Sequence, residues 1–561
     1  MEKGYRLRKA LSPYLRDHAS QPVEWYPWGQ EAFLRAQKEG KPLFISIGYA
    51  TCHWCHEMSR ENFVSEEVGE ALNRYFVPVK VDRELDPAVD EVYLTACTLV
   101  HGSGGWPLNL FATPEGLPFY FLTYAPRPIF LDLVEKIARL WRECPQRLEE
   151  AAREVAALTR RALRNLPGEV EPEGLTARAL HELKESFDPQ YGGFGKGAKF
   201  PSAPVLYFLL DLARESSPEA RAMLTKTLEA MSLYGLYDHV GGGFFRYTTD
   251  RAWQNPHYEK MLYDQVQLAE IYAEASRLFE NPFFETVARE TLDYLFGELS
   301  SPEGLFYTAQ DAESPEGEGA YYLFRAPEIL SALPEKGPLL VETFGLRSEP
   351  SLPQLREFPQ KDLEPIKKAL REYRQRRPRP RVDTKILCGE NALAVAALAR
   401  IGQELEAPEI LSRARDLYRR LREVFWGPES LSRVLFEGRR GHPGHLEDYV
   451  RLARAALVLY EITREDSYLG EARALMELSH RRFWDPESGG FFSCEETDLL
   501  FVRPKESLDR AWPSANSLAL EVLGGLGPDF RDLFESQAWA FGGALSQAPS
   551  AHPYFLRPLK K

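Results

Sequence analysis

The chain has 561 residues, 44% of them hydrophobic and 27% charged, with a formal net charge of -14. That length exceeds what one hydrophobic core organises, and the composition is that of packed domains rather than of disorder. The acidic balance, with no basic stripe interleaved with aromatics, argues against nucleic acid as a partner.

No run of about 18 apolar residues occurs, and the opening MEKGYRLRKALSPYLRDHASQPVEW lacks an apolar export segment, so a cytoplasmic protein with no membrane partner is expected. The six cysteines are scattered apart from Cys52 and Cys55. This suits a reducing compartment with one reactive pair, leaving Cys97, Cys144, Cys388 and Cys494 structural.

In chain order, an apolar run from Pro42 to Ile47 precedes Cys52-His53-Trp54-Cys55, a helical stretch follows, and Phe76 to Asp82 reads as a second strand. That is a βαβ rhythm and predicts a thioredoxin-like α/β fold. A thiol at a helix start meets unpaired backbone N–H groups and the positive helix end, which favour its thiolate. Cys52 is the candidate nucleophile, with an accessible, low-pKa thiol, and Cys55 the resolving thiol, acting on a thiol redox partner. Gly104-Gly105-Trp106-Pro107 stands just before an apolar strand, so a cis peptide at Pro107, facing the cysteine pair, is expected. Three rival readings remain. Cys-His-Trp-Cys-His also fits haem c attachment, which requires export; a zinc site would need a further ligand; and the pair could be redox-silent. No metal or other cofactor is expected.

A charged helix from Arg147 to Leu166 leads to Pro167-Gly168-Glu169-Val170-Glu171-Pro172-Glu173-Gly174, rich in turn formers and acids. This predicts a thioredoxin-like domain over 1–166, a linker over 167–174 and a second domain over 175–561. In the latter, helical patterns come in adjacent pairs, among them Pro256 to Phe279, Pro282 to Leu299, Gly389 to Leu405, Glu447 to Thr463 and Tyr468 to Phe483. A related turn recurs with them, as in Phe187-Asp188-Pro189-Gln190-Tyr191-Gly192-Gly193-Phe194, Tyr237 to Phe244, Ser301 to Phe306, Phe425 to Leu431 and Phe483 to Phe491. A two-helix unit cannot bury its apolar face alone, so the units must stack or close. Six pairs closing as an all-α (α/α)6 toroid is the expectation, with an open solenoid as the alternative.

Polar clusters fall between these turns and the next odd helix, which a toroid gathers on one face. Asn255 and Pro256 read as N-cap and first helical residue, so that His257, Lys260 and Asp264 would share a helix face while Glu259 points elsewhere. His257, Asp264, Asp250, Asp311 and Asp448 are the candidate catalytic groups; Glu259, Glu318, Trp253, Tyr449 and Asp509 are candidate substrate-binding groups. A histidine and carboxylates around one cavity suit acid–base work on a sugar, of hydrolase or epimerase type. Aromatics nearby, including Tyr258, Tyr321, Tyr322 and Trp512, would stack on sugar rings or equally fill a core. The alternative is a non-catalytic binding or chaperone-like adaptor with a structural or redox-sensing cysteine pair.

Ser12-Pro13-Tyr14-Leu15, His18-Ala19, Pro22-Val23-Glu24-Trp25, Cys52 to His56, Gly104 to Pro107, Tyr191 to Gly195, Lys199-Phe200-Pro201 and Pro256-His257 to Asp264 together resemble the spermatogenesis-associated, thioredoxin-domain-containing family. The resemblance spans nearly the whole chain. It implies a thioredoxin-like domain followed by a six-hairpin glycosidase-like toroid, similar in fold to N-acylglucosamine 2-epimerases. The chain departs from the family pattern at Thr384 and Glu390, where an acid and an aromatic are typical, and the last helix pair reads as trimmed.

Overall fold

A computed structural model describes residues 5–560. The chain forms two compact units. The first runs through Arg164 and also takes in Ser432–His445 and Phe492–Glu506; the second holds Asn165–Leu431, Leu446–Phe491 and Ser507–Lys561. A contiguous division at 166 does not include those two later segments. Residues 167–174, expected as a linker, contain the first turn of a helix spanning Pro172–Ser186.

The first unit is built on a five-stranded sheet of β1 (Tyr26–Pro27), β2 (Leu43–Gly48), β3 (Val77–Asp82), β4 (Leu108–Ala112) and β5 (Pro118–Leu122), in the order β1-β3-β2-β4-β5. The strands β1, β3 and β2 are parallel, while β4 and β5 run antiparallel to their neighbours. Every residue of β2, β3 and β4 is buried, the polar Ser46, Lys80, Asp82 and Asn109 included, which is why these mostly apolar segments show no alternation with exposed polar residues. Ile45, Val79 and Leu110 share one core with Val92 of the helix Pro87–His101, and Cys494 and Leu500 of the later segments enter the same core. The hairpin Ser432–Phe436 with Arg439–Pro443 is tied to this unit by Nε of Arg433, which donates to the carbonyl of Glu84 at 2.7 Å.

In the second unit six helices form a closed inner ring. Ala203–Arg214 packs on Leu262–Leu278, which packs on Cys388–Glu404; then follow Leu446–Thr463, Ala515–Gly525 and Pro553–Leu559, and the last returns to the first. Each of the first five has its own outer partner: Pro218–Leu233, Pro282–Glu298, Pro408–Phe425, Asp466–Phe483 and Arg531–Gln547. The sixth pair joins the two ends of this unit's chain, Pro172–Ser186 lying against Pro553–Leu559. The expected (α/α)6 toroid is therefore present, and its last inner helix is only 7 residues long.

The recurring turns work alike. Each is closed by a single bridge, Phe187 with Phe194, Tyr237 with Phe244, Ser300 with Phe306, Trp426 with Leu431 and Trp484 with Phe491. In the second turn Gly242 has φ 75°, and a Cβ there would stand 2.2 Å from the Glu290 carbonyl, so glycine is required. An amide near the start of the following inner helix then clamps the turn's aromatic residue. The side chain of Gln265 accepts from the N–H of Phe244 and donates to its carbonyl; Asn391 does the same for Phe306 and Asn516 for Phe491. A buried lysine supports two of the turns: Lys199 donates to Asp188, and Lys260 donates to Asp238 at 2.8 Å and to the Gly242 carbonyl.

Candidate functional site

In the first unit Cys52 caps the helix His53–Met58, its Sγ accepting from the Cys55 N–H at 3.2 Å, and the two cysteines are joined as a disulfide. The expected strand-to-helix placement holds, as does the cis Trp106–Pro107 peptide. The expected accessibility does not: Cys52 is 4% and Cys55 2% exposed, and it is Trp54, 45% exposed, that faces outward from the motif. Cys97, Cys144, Cys388 and Cys494 are free thiols, and burial pushes the Cys494 thiol up to about 12.

In the second unit the starts of the inner helices converge. The Gly389 N–H donates to Oδ1 of Asp448 at 2.9 Å, joining the starts of Cys388–Glu404 and Leu446–Thr463. Tyr263 packs edge-on against Trp512 at 4.5 Å, and the Arg451 guanidinium lies 5.1 Å from the Trp512 ring centre, joining Leu262–Leu278 and Leu446–Thr463 to the segment that enters Ala515–Gly525. Phe200, just before Ala203–Arg214, stacks on Tyr247 at 4.5 Å, and Tyr247 lies 4.8 Å from the His257 ring. His257 Nδ1 is 3.0 Å from Oε1 of Glu318. Nη1 of Arg246 is 3.4 Å from Oδ2 of Asp264, and Arg451 pairs with Glu447 at 2.8 Å. Aromatic rings, two guanidiniums, a histidine and several carboxylates thus gather at this end of the ring, its mouth, with Tyr263, Asp264, Glu447, Asp448 and Arg451 buried among them. Further along the inner helices Tyr207, Glu270, Arg454, Glu521, Tyr554 and Arg557 form an ionic network.

Asp264 is strongly perturbed by burial. It is 2% exposed, its Oδ2 accepts no hydrogen bond, and burial raises its pKa to about 7 against the lowering effect of Arg246. A carboxyl that titrates near neutrality is suited to give or take a proton.

The sequence-predicted residues divide into two groups. His257, Glu318 and Asp264 come together at the mouth through Tyr247 and Arg246, and Asp448, at the start of Leu446–Thr463, joins them through Gly389 and Arg451. Glu259 is buried, and its carbonyl accepts from the Arg246 N–H. Asp311 is buried in the turn that follows Ala309–Gln310, its Oδ1 accepting from the Glu313 N–H. The remainder serve the scaffold. Both oxygens of Asp250 accept backbone N–H groups, of Ala252, Gln254 and Asn255. Trp253 is fully buried and donates to the Tyr191 carbonyl. The Tyr449 hydroxyl accepts from the Leu431 N–H, taking the place the amide clamps hold in other repeats. Asp509 accepts from the N–H groups of Ser514 and Tyr554, with burial raising its pKa to about 6.

The expected helix from Pro256 is corrected. It begins at Leu262, and Pro256–His257 and Lys260–Met261 are short strands paired with Tyr247–Thr248 and Ala309–Gln310. His257, Lys260 and Asp264 share no helix face; ladder pairing and the buried Lys260–Asp238 ion pair hold the segment extended. Arg246, Tyr263, Glu447 and Arg451 were missed as a set. Only the i, i+4 spacing of Glu447 and Arg451 on a helical pattern signalled them.

A thioredoxin-like unit with a Cys-X-X-Cys pair, combined with a closed ring of six helical hairpins whose mouth carries acids and aromatics, defines the class. A family model named Thioredox_DsbH and described as "Protein of unknown function, DUF255" matches residues 4–160. The chain is 36% identical to human spermatogenesis-associated protein 20, over 99% of this chain and 80% of that protein. It is equally 36% identical to the mouse protein over the same shares. The chain belongs to the spermatogenesis-associated protein 20 family. Among solved structures, D-mannose isomerase aligns with a TM-score of 0.48 at 12% identity, covering 66% of this chain and 85% of that one. Cellobiose 2-epimerase from Spirochaeta thermophila aligns with a TM-score of 0.44 at 15% identity, covering 67% and 83%. Among the described residues no helix is long and apolar enough to cross a membrane, and no group of three or more His, Cys, Asp or Glu side chains is placed to hold a metal ion.

Proposed function

We propose that the ring binds and processes a carbohydrate by acid–base chemistry, and that the Cys52–Cys55 pair undergoes thiol–disulfide exchange with a protein or small-molecule thiol partner. The observation that carries the first part is Asp264: a buried carboxyl with a pKa of about 7 and an oxygen without a hydrogen bond, at a mouth lined by Tyr263 and Trp512. Asp264 acts as the proton-transferring group, Arg246 steadies its charged form, and the His257–Glu318 pair supplies a second acid–base couple. Phe200, exposed and stacked on Tyr247, offers a ring for the apolar face of a sugar to pack on. The reaction is of hydrolase or epimerase type, both of which need groups that exchange protons near neutral pH.

The test is a panel of mono- and oligosaccharides followed by thermal stability, since a ligand at 100 times its dissociation constant adds about 2.7 kcal/mol. A sugar that stabilises the wild type, is turned over by it, and is bound but not turned over by Asp264→Asn supports the reading. If no sugar shifts the melting temperature, the chaperone-like adaptor takes its place. For the cysteine pair, equilibration with glutathione followed by quantification of the two thiols decides whether it cycles.

A further inference from the structure

The sulfur of Cys55 has a neighbour with nothing to bond to. Tyr14 lies on the short helix Pro13–Asp17, anchored by Ser12, whose Oγ donates to Asp82 at 2.6 Å. A Cβ built on Gly48, at the end of β2, would stand 2.4 Å from the Tyr14 hydroxyl and 2.7 Å from Cys55 Sγ, so hydroxyl and sulfur face one another across a space that exists because residue 48 has no side chain. The Tyr14 hydroxyl is buried and makes no hydrogen bond. A buried donor left unsatisfied costs about 1–3 kcal/mol, which is tolerated where another state of the protein supplies the acceptor. Here the sulfur is locked in the disulfide. Behind the Tyr14 ring, Nζ of Lys80 donates to Ser46 Oγ at 3.0 Å and sits 4.5 Å from the Phe63 ring centre and 5.1 Å from that of Tyr14. Beside Cys55 Sγ there is therefore an O–H donor, and behind its ring the Lys80 amine, whose charged form burial disfavours.

We infer that Tyr14 donates a hydrogen bond to the Cys55 thiolate once the disulfide opens, and so favours the reduced pair and makes Cys55 the better leaving group. This rests on the thiol–disulfide activity proposed above. In the forward direction the Cys52 thiolate attacks a partner disulfide and displaces one partner thiolate, which takes a proton from water. The Cys55 thiolate then attacks Cys52 Sγ, restoring the S–S bond and releasing the second partner thiolate, so two electrons pass to the partner; in the reverse direction a partner thiolate attacks Cys52 Sγ and Cys55 leaves as the thiolate that accepts from Tyr14. Tyr14 gives up no proton; its O–H points at Cys55 Sγ whenever that sulfur carries charge. Burial and Asp82 hold the Tyr14 pKa well above its usual value, so it remains a donor throughout.

The experiment is the equilibrium of the full-length protein with reduced and oxidised glutathione. A hydrogen bond to a charged group is worth about 1.5–3 kcal/mol, so Tyr14→Phe should shift the equilibrium about tenfold toward the disulfide, about 30 mV more negative for a two-electron couple. In a Cys52→Ser background, Tyr14→Phe should also raise the pH midpoint of Cys55 alkylation, a change that loosened packing alone would not produce in step with the potential. Tyr14→Phe keeps the ring against His18 and Lys80, and a structure of the reduced wild type gives a reading that needs no variant. Tyr14 Oη further than about 4 Å from Cys55 Sγ in that structure, or a potential unchanged by Tyr14→Phe in a protein that does exchange with glutathione, overturns the role of Tyr14 alone. A wild type that never exchanges overturns this inference together with the redox reading.

Discussion

Arg246 and Asp264 meet in the mouth of the ring at 3.4 Å, yet Oδ2 of Asp264 accepts no hydrogen bond. The guanidinium is near enough to steady the charge and not placed to satisfy it.

A pH dependence follows. Burial raises the Asp264 pKa from 3.8 to about 7. Keeping the group protonated stabilises the fold fully below about pH 4, and this stabilisation is lost as the pH rises through about 7. Asp264→Asn removes the ionisation, so at pH 8 the variant should unfold less readily than the wild type, by up to about 4 kcal/mol, and match it at pH 4. Urea denaturation at the two pH values measures the difference; a variant equally less stable at both would contradict it.

The second turn predicts a large loss. Asp238 is buried between Lys260 at 2.8 Å and Arg374 at 2.9 Å, and these cations hold its carboxyl far below the usual range. Asp238→Asn leaves both cations buried without their counter-charge and should cost about 3–5 kcal/mol. A loss below about 1 kcal/mol in equilibrium unfolding would show that solvent reaches the pair.

The amide clamps should act independently. Asn391→Ala and Asn516→Ala each free the N–H and carbonyl of a buried phenylalanine, at about 2 kcal/mol apiece. The two sit on different inner helices and share no hydrogen-bond partner, so the double variant should lose the sum to within about 0.5 kcal/mol. Thermal or urea unfolding of the three variants settles it.

Gly48→Ala tests the space between Tyr14 and Cys55. The added methyl would stand 2.4 Å from a hydroxyl and 2.7 Å from a sulfur, so one side chain must move. A destabilisation of about 1–3 kcal/mol and slower reduction of the disulfide by dithiothreitol are expected. Wild-type behaviour in both measurements would mean that the space is larger than it is here.

The sequence reveals the architecture better than the chemistry, for physical reasons. A buried parallel strand reads as a short, mostly apolar stretch, and a glycine that needs positive φ recurs wherever its turn does, so β2, β3 and Gly242 are legible. Local pattern fails where distant pairing decides the conformation. Pro256 to Met261 looks like a helix start because Asn255-Pro256 suits one, and only Tyr247–Thr248 and Ala309–Gln310, remote in the chain, hold it extended. The roles of acids were least legible. Asp250 and Asp264 are equally plausible by spacing, but one is consumed by backbone N–H groups and the other is not, which depends on turn geometry that no motif encodes.

The sixth hairpin has a consequence for how the ring is made. Its outer helix, Pro172–Ser186, is the first of the ring to leave the ribosome, and its inner helix, Pro553–Leu559, is the last. Until Pro553–Leu559 is made, Ala203–Arg214 lacks one flank and Pro172–Ser186 lacks its inner partner. Contacts of such sequence separation form slowly, because a long loop must close before they are rewarded. The unit is a bracelet whose clasp joins its first helix to its sixth inner one: five hairpins can assemble as the chain grows, but the ring closes only once Pro553–Leu559 has been made.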